Sequence, residues 1–493
     1  MSQKKTLLTS YISGITDTSG ERYVTIFSYL WPELITAFIV SSLLSIVNSI
    51  FIGHLHSTEL FVAQGVATNF LNFIQKVAEG LSIGTVILCG QYNGAEDPKN
   101  AGRAATNSLW LAAAAGALIA TTIFFGAQAI YTFYGVNQQI LQTGIPFLRL
   151  RSGATFLSFI FFALIGFFRS LKNTKVPMIC FIIGSTTFII VDYICIFGAF
   201  GVRPMGLMGS AYASIAQYTI MIATACYYLV RSKISTIYQL SWKPHIQIQE
   251  INRLVQLSWP VMVDKATMAF TKIWMLRLFT KIGTPFAASY SAIQEMEMLA
   301  FIPAIAASQV ITFLVSNDYG AQQWTNIKVN IKKTLFLASC MVFGILVFFS
   351  FKPEFFFNLF DTVGTFSFIA SAAFPMVSVF VVFDIFQLIL AGALRGAANV
   401  KTVMATRLAV CTLFLFPASY ICASLPFQNL LLKFILIYGI AYVSDGIMGI
   451  IYILRFRSNT WKSSAKMKNI KGTYVTHYRN RDSASGKTRQ PQA

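Results

Sequence analysis

The chain has 493 residues, is 55% hydrophobic with 11% charged residues, and has a mean hydropathy of +0.62, which excludes an ordinary water-soluble fold and makes lipid its main solvent. Its formal net charge of +20 does not point to nucleic acid, because the basic residues sit in short segments between apolar runs and in the tail, with no continuous basic domain. Seven cysteines fall mostly inside apolar runs, form no CxxC or Cys/His cluster with metal spacing, and read as small buried side chains.

From Ser2 to Arg22 the chain is polar and lacks the signature of a cleaved signal peptide, so the first apolar run is expected to stay as a transmembrane helix. Apolar runs bounded by Pro, Gly and charge then predict helices near 30–52, 61–90, 106–130, 147–168, 177–199 and 207–230. A second set is predicted near 258–281, 286–316, 334–357, 368–394, 403–424 and 432–454. Each is long enough to cross a hydrocarbon core of ~30 Å. From Arg455 onward the chain turns polar and basic without apolar periodicity, which predicts a disordered tail, read as a solvated topology anchor or, alternatively, as a segment drawn to anionic lipid headgroups.

The loops after the even-numbered helices carry most of the basic residues, among them Lys99, Arg103, Arg169, Lys172, Lys175, Arg231, Lys233, Lys328, Lys333, Arg395 and Lys401; the opposite loops carry Arg203, Lys281 and Lys352, with Arg149, Arg151 and Lys433 near helix starts. This asymmetry predicts both termini in the cytoplasm, and the short loops fit a bacterial inner membrane. The expected organisation is a cytoplasmic segment 1–28, an N-lobe 29–230, a cytoplasmic linker 231–257, a C-lobe 258–455 and a basic tail 456–493.

The chain is also a duplication. Trp31-Pro32 opens the first helix and Trp259-Pro260 the seventh; QYNGAEDPKN (91–100) follows the second and NDYGAQQWTN (317–326) the eighth. Gly94 pairs with Gly320, Gly166 with Gly392, Arg169 with Arg395 and Lys175 with Lys401, at a constant offset of about 226 residues. An even number of helices separates the copies, so the two lobes have the same orientation and are related by an axis along the membrane normal, with a cleft between them.

These repeated segments resemble the MATE (multidrug and toxic compound extrusion) family from about residue 25 to 455. The resemblance rests on WPELITAFIVSSLLSIVNSIFIGHL in the first helix, GQYNGAED after the second, FFRSLKNTKVPM after the fourth and, most specifically, DIFQLILAGALRG (384–396) in the tenth. It implies an all-α integral membrane fold of 12 transmembrane helices in two pseudo-symmetric six-helix bundles. It also implies export of small organic substrates by alternating access, driven by a proton or sodium gradient, with no cofactor beyond the coupling ion. Ring faces among the 45 phenylalanines could line a pocket for flat organic cations. The chain is expected to be monomeric, with membrane lipids as its other partners.

An ionisable group in hydrocarbon costs ~2.5–3.5 kcal/mol on insertion scales, so each is expected to face a cavity or a partner. Asp192 in the fifth helix resembles the acidic position of the family's N-lobe cation site, with Asn48 of the first helix at the same depth. Asn48 stands where the family usually has Asp, and Phe188 where it often has Asn, which favours a proton over sodium. Asp384 with Gln387 resembles the tenth-helix counterpart, while Met268 occupies the position where some branches carry a seventh-helix acid. Depth along the helices predicts ion pairing in the C-lobe, with Lys272 near Glu295 or Glu297, and Lys265 near Asp384; Asp264 joins this set. In the second helix Asn69, Asn72, Lys76 and Glu79 fall within an arc of ~80° and are expected to line the cleft. Gly94, Gly320, Arg169 and Arg395 are read as turn geometry and headgroup anchors.

No P-loop occurs, and no cytoplasmic segment is large enough for a nucleotide-binding domain, which argues against ATP-driven transport. A lipid-linked precursor flippase is the alternative within transport; the tenth-helix pattern argues against it. A membrane enzyme would need clustered catalytic residues, whereas His54, His56, His245 and His477 are scattered. The missing acid at Asn48 leaves an inactive scaffold as the remaining reading.

Overall fold

A computed structural model describes residues 17–55, 57–241, 248–358, 361 and 366–463. The segment before residue 17, the linker residues 242–247, the tail from 464 and the histidines at 56, 245 and 477 lie outside the described residues. The described residues contain twelve long helices: α1 Tyr23–Gly53, α2 Thr58–Gly94, α3 Pro98–Phe133, α4 Gln138–Ser170, α5 Lys175–Phe197, α6 Leu207–Arg231, α7 Ile248–Ile282, α8 Thr284–Gly320, α9 Trp324–Phe351, α10 Ser367–Gly396, α11 Val400–Ser424 and α12 Leu430–Arg457. Eleven of them are apolar and long enough to span a membrane. The twelfth, α7, is as long but carries Glu250, Arg253, Asp264, Lys265, Lys272, Arg277 and Lys281, which lower its hydropathy; it packs against α2, α8 and α11, with Asp264 buried and Lys272, Arg277 and Lys281 exposed.

Several helices run past the apolar segments that predict them, because local caps extend them. Ser57, Asp97, Asn137 and Asn429 each accept a backbone N–H from the first turn of α2, α3, α4 and α12. In α4 this moves the start from 147 to Gln138 and places Arg151 well inside the helix. In α9 the start moves from 334 to Trp324: Lys333, which reads as a polar boundary residue, is buried and donates to the Ser19 and Glu21 carbonyls at 3.0 Å. The same helix stops at Phe351, ahead of the expected 357, because Pro353 cannot donate to the helical ladder. Helices α1 and α11 each contain a π-helical turn, Ile39–Leu43 and Cys411–Leu415, where the ladder loosens.

The duplication is visible in the packing. In the N-lobe α2 lies on α4, α4 on α6 and α1 on α5; in the C-lobe α8 lies on α10, α10 on α12 and α7 on α11. Contact points repeat at atomic detail: a Cβ on Gly166 would sit 2.8 Å from the Ser82 carbonyl oxygen, and one on Gly392 2.8 Å from that of Ser308.

The lobes meet where α2 crosses α7 and α8, and where α8 crosses α1 and α2. Here the reading of Gly94 and Gly320 as turn residues is corrected, since both lie in helices whose backbones touch. A Cβ on Gly94 would fall 1.9 Å from the Asn317 carbonyl oxygen, and one on Gly320 2.1 Å from that of Gln91. Side chains seal the same end. Asn93 Nδ2 donates to Asn317 Oδ1 at 2.7 Å, Tyr238 OH to Asn93 Oδ1 at 2.7 Å, and Asn317 Nδ2 to the Ser170 carbonyl at 2.9 Å. A strap at Ser19–Glu21 crosses the joint: the Glu21 amide and Lys333 tie it to α9, while the Lys172 amine pairs with its carboxylate at 2.8 Å. The other described end docks nearby, Tyr319 OH donating to the Lys462 carbonyl at 3.3 Å. Along α2 the contact continues through Gly84 against Ser258 and Gly80 against Met262; beyond it Asn72 and Asn69 are exposed, so the lobes part toward the far end of the bundle.

Candidate functional site

The polar stripe of α2 lies beyond the stretch where this helix is packed against α7. Asn69 and Asn72 are exposed, Lys76 and Glu79 partly so, and Lys76 Nζ pairs with Glu79 Oε1 at 2.7 Å. On the facing helix Leu254, Ser258 and Met262 lie against the glycines of α2, and the same stripe of α7 continues through Lys265 to Lys272. Lys265 lies within electrostatic reach of Glu79 across the interface rather than pairing with Asp384. Lys76, Glu79 and Lys265 thus form one charged group just beyond the α2–α7 contact at Gly80 and Met262.

A second constellation lies inside the N-lobe. Asp192 of α5 is wholly buried; the Ser210 hydroxyl is in its reach but donates to Asn48, which leaves both carboxylate oxygens without a donor of their own. Asn48 of α1 is also buried, its Oδ1 accepting from Ser210 Oγ of α6 at 3.0 Å. One turn along α6, Ser214 donates to the Ser210 carbonyl at 2.9 Å and accepts from Arg151 Nη1 of α4. Phe188, one turn before Asp192, is buried and offers no oxygen. Asn48 and Asp192 do not bond one another among the described residues; Ser210 of α6 lies within reach of both. The apolar run from 147 puts Arg151 near a helix start, but α4 begins nine residues earlier and carries it well inside the helix.

The C-lobe differs from expectation in its ion pairs. Asp264 is not an open cavity acid: it is buried between Arg395 Nη2 and Arg407 Nε, each at 2.5 Å. Arg395 is thus no headgroup anchor, and neither is its counterpart Arg169, whose Nε and Nη2 each donate to the Glu33 carboxylate at 2.7 Å in a buried bidentate pair. Glu297 makes no ion pair with Lys272; Tyr438 OH donates to it at 2.5 Å, Gln294 Nε2 at 3.2 Å, and Tyr442 OH completes the cage. Glu295 is exposed and makes no ion pair among the described residues. Gln387 is buried at 1% exposure against α12, so it belongs to the lobe interior and not to the cleft wall. Asp384 is half-buried and unpaired among the described residues, with Arg407 and Lys272 in electrostatic reach. Asp445 of α12, which sequence reasoning passed over as one acid in an apolar helix, lies close enough to interact with Asp384. Phe383, the neighbour of Asp384, packs against Gly446, the neighbour of Asp445.

Comparison with known proteins agrees with this architecture. The sequence profile of the MatE family matches residues 34–194 and 260–421. The Agrobacterium fabrum protein named "Probable multidrug resistance protein NorM" is 22% identical over 72% of this chain and 77% of its own length; its Thermotoga maritima namesake is 23% identical over 73% and 77%. "Probable multidrug resistance protein YoeA" of Bacillus subtilis is 20% identical, the match spanning 54% of this chain and 58% of that one. Among solved structures, the Vibrio cholerae MATE transporter VcmN in the bent form superposes with a TM-score of 0.81 at 18% identity, over 92% of this chain and 99% of that one. An outward-facing multidrug resistance MATE family transporter superposes with a TM-score of 0.80 at 17% identity, over 92% and 98%. Two carboxylate constellations, one per lobe, thus sit on a fold shared with these transporters.

Proposed function

This chain belongs to the MatE family, and from that premise we propose that it is a secondary efflux transporter that exports small organic, cationic or amphipathic substrates in exchange for protons. The observation that carries this reading is Asp192: a carboxylate held in the bundle interior with both oxygens unsatisfied is free to bind and release a proton. Sodium fits this place less well. The Asn48 oxygen is already engaged by Ser210, and Phe188 supplies no ligand. Asp384, with Asp445 beside it, forms a second coupling position in the C-lobe.

Substrate binds between the lobes, where Asn69, Asn72, Lys76, Glu79, Lys265 and Lys272 are on offer. The positive-inside asymmetry supports placing both termini in the cytoplasm of a bacterial inner membrane, with lobes at 29–230 and 258–455 acting as a monomer. In that orientation the sealed end is cytoplasmic and the cleft opens outward, one of the two forms that alternating access requires.

The test is uptake of a fluorescent organic cation into proteoliposomes under an imposed proton or sodium gradient. A proton gradient is expected to drive it, and Asp192→Asn to abolish the drive while leaving membrane insertion and folding intact. Wild-type rates in Asp192→Asn would overturn the assignment.

A further inference from the structure

The N-lobe chamber contains a charge that the coupling reading leaves unused. Arg151 projects from the middle of α4 and rests on a serine, although a buried carboxylate without a partner lies in the same chamber. The register of α5 against α6 fixes how near they are. These helices are antiparallel, Gly209 touching the backbone at Cys195 and Gly184 touching Met221. Asp192, one turn from Cys195, therefore lies level with the turn of α6 between Ser210 and Ser214. Ser214 holds Arg151, Ser210 holds Asn48, and Asp192 stands between these two docking points with its carboxylate unclaimed. Asp192 and Arg151 act on one another electrostatically but form no ion pair here.

We propose that Arg151 is a built-in cation of the N-lobe, which sits on Ser214 while Asp192 carries a proton and swings to Asp192 when that proton leaves. This rests on Asp192 being the proton carrier. It makes Arg151 a positioning residue: the guanidinium competes with the proton for one carboxylate, sets the pH at which the lobe switches, and occupies the place a sodium ion would need. A long, always-charged side chain with several donors suits the part, because it can trade a hydroxyl acceptor for a carboxylate without leaving the chamber. The exchange takes the lobe interior from a net charge of +1, with Asp192 neutral and Arg151 apart, to zero, with Asp192 ionised and paired to Arg151; the difference is the proton that leaves, and the pairing spares the ionised carboxylate from standing alone in the bundle.

The elements packed on α5 present few other titratable groups to Asp192. Cys195 lies on α5 itself, Tyr218 of α6 neighbours Arg151, and α1 contributes the neutral Asn48. The pH response is therefore assigned to the Asp192–Arg151 pair.

Three variants in proteoliposomes, each read as initial transport rate against pH, test the proposal. Arg151→Gln removes the competitor and is expected to move the midpoint of the curve to higher pH by about one unit or more, the scale on which a nearby opposite charge acts. Ser214→Ala removes the resting place without touching either charge; it is expected to fold normally and to move the midpoint to lower pH. Arg151→Lys, which keeps the charge, is expected to return the midpoint most of the way to wild type. Should Arg151→Gln fail to fold, the Ser214→Ala shift decides alone. If Asp192→Asn abolishes proton-driven transport but the Ser214→Ala and Arg151→Gln curves overlay wild type, Arg151 has no such role. If Asp192→Asn transports normally, the proton-carrier reading falls and this proposal with it.

Discussion

Glu33 and Arg169 form a buried ion pair in the N-lobe, and Asp264 with Arg395 and Arg407 forms its C-lobe counterpart. Desolvating such groups offsets much of their attraction, so the intact pair adds little net stability, while leaving one partner behind costs about 3–5 kcal/mol. Arg169→Met is therefore expected to lower the thermal midpoint in detergent far more than the double variant Glu33→Leu with Arg169→Met, measured on protein of equal purity. An equal loss in both would show that the pair itself, rather than the stranded charge, supplies stability. At this scale the sequence was legible in type but not in partner. The repeat pairs Arg169 with Arg395 from spacing alone, yet nothing in it says that each faces an acid on the first helix of its own lobe. The two acids are not at equivalent positions: Glu33 directly follows the Trp-Pro of α1, whereas Asp264 lies a turn beyond the Trp-Pro of α7. A turn of displacement along a helix keeps a side chain on nearly the same face, so chemistry survives where the alignment does not.

Helix α2 shows how one element serves two tasks. Its half next to the loop is buried and studded with Gly80, Gly84, Gly90 and Gly94, which let α7 and α8 approach to backbone distance; its other half keeps a polar face for the opening. Gly94→Val forces side-chain atoms into the Asn317 carbonyl and is expected to spring the sealed end. A cysteine introduced as Ser316→Cys, buried in the seam, should then react with a membrane-impermeant maleimide at least several-fold faster from the terminus side, and unchanged labelling would show that the seam yields without opening. The existence and order of the twelve helices followed from apolar runs alone. Their ends did not, because caps at Ser57, Asp97, Asn137 and Asn429 act beyond the apolar stretch, and the misplaced start of α4 is what made Arg151 look like a boundary residue.

Across the whole molecule the lobes are held by glycine contacts, amide hydrogen bonds and the strap at Ser19–Glu21. The strap is its weakest fastening: Lys172 and Glu21 are both about a quarter exposed, at 27% and 26%, and such a pair is worth about 0.2–1 kcal/mol. Burial pulls the Lys172 amine down, but the hydrogen bond and charge of Glu21 outweigh it and hold the amine above the usual lysine range. The contribution of the raised amine is fully present at neutral pH and is lost as pH rises through that raised value. Glu21→Gln is expected to shift the balance of sealed and open forms by no more than about fivefold without moving the pH midpoint of transport; spin-label distances across the seam would measure it. A moved midpoint would mean the strap senses protons. The seam also constrains how the gene can change. After a duplication the two halves are free to diverge wherever they face lipid, but each glycine in the seam is fitted to the other half's backbone, so neither copy can drift there alone. A chimera that takes one lobe from a distant relative would have to import both sides of that joint, and the joint, more than either lobe, is what makes two similar halves into one inherited unit.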